Sequence, residues 1–140
     1  MTTTGYSGTP LAKKLGIKAG YRIRVADPPL DYFDLLEELP ENVTFIKDKN
    51  SVKDLVHYFT KDIGQLQTDI QSLRNEIFPD GSLWISWPKK TSGIASSVSE
   101  DGIREIALKN GLVDIKVCAV DNIWSGLKLV IPLKNRKTAH

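Results

Sequence analysis

The clearest period along the chain is Ile63, Leu66, Ile70, Leu73 and Ile77, apolar residues spaced by three and four. That spacing lays one stripe against a core and predicts a helix ending near Phe78, with Asp62 and Gln65 capping its start. Shorter patterns surround it. Thr9-Pro10 opens a short helix whose Leu11, Ala12 and Leu15 face inward, and Gly16 closes it. Tyr21 to Ala26 alternates as a strand, with Ile23 and Val25 on one face and Arg22 and Arg24 on the other. Asp31 caps a second helix that buries either Phe33, Leu36 and Leu39 or Tyr32, Leu35 and Leu36, and Pro40 marks its end. Val43 to Ile46 reads as a short buried strand.

The stretch after Ser51 fits two descriptions. Val52, Leu55, Val56 and Phe59 have helical spacing, yet Leu55 to Phe59 is dense in strand formers and a better helix follows at once. We read Asp54 to Thr60 as a strand. Lys47 to Lys53 is then shorter than the roughly ten to twelve residues of a helical crossover. Either the connection is an abbreviated turn or one strand here is antiparallel. Downstream, Pro79-Asp80-Gly81 is a turn, Leu83 to Trp87 a strand, and Ser99 caps a helix that Asn110-Gly111 stops. Ile115 to Val120 and Leu127 to Ile131 pair as an antiparallel hairpin. The order of elements predicts a three-layer α/β sandwich, mostly parallel, with a C-terminal antiparallel hairpin.

With 140 residues, the chain has room for one domain, assigned to 9–133, between a flexible N-terminus at 1–8 and a basic tail at 134–140. A single cysteine, Cys118, and two histidines, His57 and His140, exclude a disulfide framework and argue against a structural zinc site. No apolar run approaches the length of a membrane span and no signal core opens the chain, which reads as cytoplasmic, with no membrane partner. The net charge of +2 hides a gradient: residues 1–26 hold five cations and no acid, and residues 27–62 nine acids and four cations. Such polarity can steer an anionic partner. The basic block lacks interleaved aromatics, which argues against nucleic acid.

Three segments carry a resemblance. TPLAKKLGIKAGYRI, DGSLWISWPKKTSG and GLVDIKVCAVDNIWSGLKLVIP together resemble a bacterial family, domain of unknown function 3052, which implies a fold and no activity. The helix, turn and strand around Pro79-Asp80-Gly81, with the closing hairpin, are similar to the late part of a class I methyltransferase, a Rossmann-like fold. That fold binds S-adenosylmethionine with a glycine-rich turn after the first strand. Here the turn reads Asp27-Pro28-Pro29-Leu30-Asp31, with two amide donors removed, so the expectation is no cofactor, with S-adenosylmethionine set aside. Asp48, after the second strand, is a turn residue or a ribose contact.

Ligands of open α/β sheets sit beyond the carboxyl ends of the strands. The expected ligand-binding set is therefore Asp27 with Trp87, Lys89, Lys90, Ser92 and Gly93, where an aromatic face, two ammonium groups and a flexible glycine could hold a phosphate or carboxylate. No Walker pattern is present. Cys118 reads as a buried thiol, His57 as a packed histidine, Trp84 as core and Trp124 as a turn residue covering the sheet edge. The expected function is a non-catalytic methyltransferase-like domain binding a small anionic ligand or a protein partner. The alternative is an enzyme acting on a phosphorylated or carboxylated substrate, including a degenerate methyltransferase, with Lys89 or Lys90 as anchor and Asp27 as base. The hairpin's free edge is a candidate for homodimer pairing.

Overall fold

A computed structural model describes residues 9–136. In chain order its elements are α1 (Leu11–Leu15), β1 (Arg22–Ala26), α2 (Tyr32–Leu36), β2 (Thr44–Phe45), β3 (Lys53–Phe59), α3 (Ile63–Asn75), β4 (Ile77–Pro88), α4 (Glu100–Lys109), β5 (Val113–Ala119) and β6 (Trp124–Val130). The segment expected to be a flexible N-terminus lies outside the described residues, as do 137–140 of the expected tail. The described part of that tail continues a 3-10 turn, Leu133–Asn135, that begins on the last residue assigned to the domain.

The strands form one six-stranded sheet in the order β2-β1-β3-β4-β6-β5. The first four are mutually parallel, and β6 runs antiparallel to both β4 and β5. Side-chain alternation along the strands sends two apolar sets to opposite faces. Val56, Leu83, Ile85, Leu127 and Leu129 meet Leu66, Ile70 and Leu73 of α3 and Ile103 and Ile106 of α4. Leu55, Phe59 and Trp84 meet Leu11 and Leu15 of α1 and Tyr32 and Leu36 of α2. The result is the expected α/β three-layer sandwich, a Rossmann-like sheet closed by an antiparallel hairpin.

Local chemistry sets the helix ends. The Asp62 carboxylate accepts from the Gly64 N–H at 2.9 Å and Ser99 Oγ from Gly102 N–H at 3.1 Å, satisfying orphan donors at the starts of α3 and α4. Gly16 and Gly111 take left-handed backbone after α1 and α4. The helix α3 stops at Asn75, earlier than the apolar period predicts. The next residue, Glu76, is drawn to the sheet, where its carbonyl accepts from Lys53 N–H at 2.8 Å and its carboxylate meets two cations. Ile77 is buried as the period requires, but as the first residue of β4.

Three further expectations shift. Helix α2 ends at Leu36 rather than near Pro40, because Glu37 turns to a φ of 60°; Tyr32 and Leu36 are buried while Phe33 and Leu39 are exposed. Strand β2 is two residues long and half-exposed, as an edge strand with one neighbour can be. The turn at Pro79-Asp80-Gly81 lies inside β4 as an irregularity, since Ile77 faces Lys53 and the register resumes with Ser82 opposite Leu55.

The ambiguous stretch is a strand, and all its neighbours are parallel. The short connection is possible because β2 is short. Phe45 lies opposite Ile23 on β1, and Leu55 lies opposite the same residue from the other side. The chain therefore descends only about two strand residues, ~7 Å, before re-entering the sheet at Lys53. Asp48 shapes that descent: Oδ1 accepts from Asn50 N–H at 2.8 Å and Ser51 N–H at 3.0 Å, and these bonds hold its carboxyl below the usual range. Among the described residues no helix lies between β2 and β3.

Candidate functional site

Strand β1 ends at Ala26, and Asp27 then adopts a φ of 56°, a left-handed backbone that aspartate tolerates better than most residues. Pro28 and Pro29 follow with no N–H to offer. Strand β3 ends at Phe59, and Thr60, whose N–H donates to the Ser86 carbonyl at 3.0 Å, leads to the Asp62 cap. The carboxyl edge between these two strands is where the connections diverge to opposite faces, the crevice that α/β sheets use for ligands.

Three cavities open along that edge. The first, about 330 Å³, is bounded by Arg24, Asp27 and Lys49 on one side and by Tyr58, Gln65, Asp69 and Ser72 on the other. The second, about 360 Å³, lies among Asp27, Phe59, Thr60, Asp62, Gln65 and Trp124. The third, about 290 Å³, is apolar, with Val25, Pro28, Phe33, Phe45 and Ile46 in its wall and Lys47 at its rim. Asp27 and Gln65 belong to both of the first two.

The walls are held in place by their own hydrogen bonds. Tyr58 donates to Asp69 Oδ2 at 2.8 Å, and burial together with that carboxylate raises the phenol well above its usual range. Thr60 donates to Gln65 Oε1 at 2.9 Å, which leaves the Gln65 amide N–H groups directed away from the bond. Arg24 is nearly buried at the floor and grips Glu76 through Nε and Nη2. Phe59 and Trp124 meet edge to face, with ring centroids 5.2 Å apart.

The structure separates the set expected from sequence. Asp27 is on the crevice. Trp87 is buried in the core on the α3 and α4 side. Lys89, Lys90, Ser92 and Gly93 lie outside the walls of the three cavities. The Ser92 hydroxyl donates to the Lys89 carbonyl at 2.7 Å and accepts from Ile94 N–H, and Gly93 takes left-handed backbone to end the 3-10 turn at Lys90–Ser92. Trp124 does more than cover an edge, since it starts β6 and walls the second cavity. From sequence Gln65 was read only as a cap residue of the helix, and Tyr58, Asp69 and Ser72 were not singled out. Gln65, Asp69 and Ser72 sit at intervals of four and three on α3, a polar stripe that could have been matched to the missing crossover helix implied by the short connection after β2.

His57 is fully buried, with Nδ1 2.9 Å from Tyr32 Oη and Nε2 2.8 Å from Ser86 Oγ. Both ring nitrogens are engaged, so it forms no dyad with Cys118. Burial raises the Cys118 thiol, against the opposing pull of Lys14 and Lys116. Among the described residues no cluster of His, Cys, Asp or Glu is arranged to hold a metal, and no helix is long and apolar enough to cross a membrane.

No protein-family model matches the chain, and no curated protein matches it. Solved structures do. The chain is similar to a magnesium protoporphyrin IX methyltransferase from Synechocystis with bound S-adenosylmethionine, at 14% identity and a TM-score of 0.58, covering 87% of this chain and 74% of that one. The same enzyme with bound S-adenosylhomocysteine gives a TM-score of 0.59 at 14% identity, over 87% of this chain and 78% of that one. An S-adenosylmethionine-dependent methyltransferase from Aquifex aeolicus gives 0.62 at 15% identity, over 87% of this chain and 88% of that one. The fold is that of class I methyltransferases. The expectation of no cofactor is overturned by these structures, because proteins of this same fold are crystallised with S-adenosylmethionine or its product.

Proposed function

We propose that this methyltransferase-fold domain binds S-adenosylmethionine, or its product S-adenosylhomocysteine, across Asp27 at the carboxyl edge of the sheet. The single observation that carries the reading is the placement of Asp27, in left-handed backbone at the end of β1 and common to two adjoining cavities. Strained non-glycine backbone persists where the surroundings hold it, and it concentrates at ligand sites.

The chemistry of the side chains suits such a ligand. Lys49 offers a cation to a carboxylate, and Asp27 and Asp69 offer acceptors to an ammonium group or a ribose diol. Gln65 and Ser72 can donate or accept. Phe59 and Trp124 offer aromatic surface in the second cavity. The turn itself contributes less than a glycine-rich one, because Pro28 and Pro29 carry no N–H, so side chains carry the recognition. When bound, S-adenosylmethionine supplies an electrophilic methyl group. The roles assigned to this chain are binding and orientation. Asp27 is the one member of the sequence-derived set carried into this reading. Kinship with the domain 3052 family rests on the three sequence motifs and belongs to the same reading.

Isothermal titration with S-adenosylmethionine and S-adenosylhomocysteine tests it. Binding is expected in the unmodified protein, weakened about tenfold or more in Asp27→Asn and in Lys49→Gln. It is expected to persist in Lys89→Ala with Lys90→Ala. Absence of heat and of any thermal stabilisation with either ligand at millimolar concentration overturns the reading.

A further inference from the structure

The basic block at the start of the sequence does not stay together in the fold. Arg24 is buried against Glu76, and Arg22 donates through its backbone N–H to Asp54 at 2.8 Å and through Nε to the Val52 carbonyl at 3.2 Å. Lys14 and Lys18 instead join two lysines from the other end of the chain. Lys116 on β5 and Lys128 on β6 are direct cross-strand partners. Lys116 Nζ donates to the Lys14 carbonyl at 3.3 Å, and Lys128 Nζ lies 3.8 Å from where a Cβ on Gly16 would stand. The Lys14 ammonium reaches over the hairpin to the Ala119 carbonyl at 2.8 Å. The ammonium groups of Lys116 and Lys128 thus gather at the closing turn of α1, two residues from Lys18 in the case of Gly16.

Like charges directly opposed across an antiparallel pair are destabilising, and among the described residues no ion pair engages Lys116 or Lys128. Residues 11–20 and β6 contain no acid, and Asp114, the one acid of β5, accepts from Arg104 of α4 at 2.9 Å on the far face of the sheet. Among the described residues no carboxylate lies within 4.0 Å of Lys18, Lys116 or Lys128. The carbonyl end of α1 offers some relief, but the helix is five residues long and its dipole correspondingly small. Burial, then the charges of Lys116 and Lys18, hold the Lys128 ammonium below the usual lysine range.

We propose that Lys18, Lys116 and Lys128 form a binding site for a phosphate-bearing anion on the α1 face of the sheet, separate from the crevice at Asp27. Compact ammonium groups on flexible stems suit phosphoryl oxygens approached from several sides. An anion placed among them converts mutual repulsion into shared attraction, so it should stabilise the folded state as it binds.

Tripolyphosphate titrated at low ionic strength, read by calorimetry and by thermal unfolding, tests the site. The unmodified protein is expected to bind and to gain melting temperature. Lys116→Gln with Lys128→Gln is expected to weaken binding about tenfold or more and to lose most of the gain. That variant should melt no lower than the unmodified protein without ligand, because it removes a repulsion, and this separates a lost site from a damaged fold. Lys89→Gln with Lys90→Gln is the control and should bind as the unmodified protein does. No binding, or equal weakening in the control, overturns the proposal. A single-stranded oligonucleotide added in competition identifies the source of the phosphates: displacement assigns them to a nucleic acid backbone, and its failure to a free polyphosphate.

Discussion

The buried ammonium of Lys53 donates to the Glu76 carboxylate at 2.9 Å, and Arg24 Nη2 donates to the same carboxylate at 2.9 Å from the next strand. Two cations thus depend on one acid, with the Asp48 carbonyl as a further acceptor for Lys53. Removing the acid leaves both cations without a counter-charge in the interior, which is the costly way to break a buried ion pair. Glu76→Gln is expected to lower stability by about 3–5 kcal/mol. Urea unfolding checks it, with exposed Glu105→Gln as a comparison that should stay within about 0.5 kcal/mol of the unmodified protein.

His57 gives stability a defined pH dependence. Burial pushes its imidazole down to about 3, from the 6.5 usual for histidine. Between those values the unfolded chain binds a proton that the folded chain refuses. Stability is therefore unaffected by this group above the unfolded value and falls as pH drops through the window, by up to about 1.4 kcal/mol per pH unit. His57→Gln is expected to flatten the slope between about pH 6 and 4, even though it weakens the bonds to Tyr32 and Ser86 at neutral pH. Urea midpoints across that range, compared between the two proteins, isolate His57 because His140 is common to both.

What could be read from the chain was local. The caps at Asp62 and Ser99, the glycine stops at Gly16 and Gly111 and the closing hairpin follow from neighbouring residues, and all are present. The Asp27 turn was legible too, because its place at the end of the first strand follows from element order. Contacts brought together by topology were not. Arg24 looks like a solvated charge beside Arg22, and its partner Glu76 arrives 52 residues later. The Lys14 carbonyl and Lys116 are 102 residues apart, so a charge count by segment could not show them meeting. The polar wall of the first cavity has the same origin: Gln65, Asp69 and Ser72 resemble any solvated helix face until the fold sets them across the first cavity from Arg24, Asp27 and Lys49.

Gly81 is required by close approach. A Cβ there would stand 2.9 Å from the Asp54 carbonyl oxygen and 3.2 Å from Ile77 Cβ, where β4 re-enters the ladder after its irregularity. Neither neighbour is a flexible side-chain end, so β3 and β4 must part. Gly81→Ala is expected to cost about 1–3 kcal/mol. A thermal melt resolves this, and a neutral result would mean that the two strands separate easily at that point.

Asp27 allows backbone and carboxylate to be tested apart. Its φ of 56° suits glycine best, suits asparagine nearly as well and penalises alanine by about 1 kcal/mol or more. Asp27→Gly is expected to match or exceed the unmodified protein in stability, by up to about 1 kcal/mol, and Asp27→Ala to fall below it by a similar amount. Asp27→Asn should remain close to the starting value. If the carboxylate recognises S-adenosylmethionine, all three lose the thermal shift that the ligand produces, whatever their own stability. If Asp27 serves only the turn, the shift survives in the glycine and asparagine variants, and the ligand must be held by other groups along the crevice.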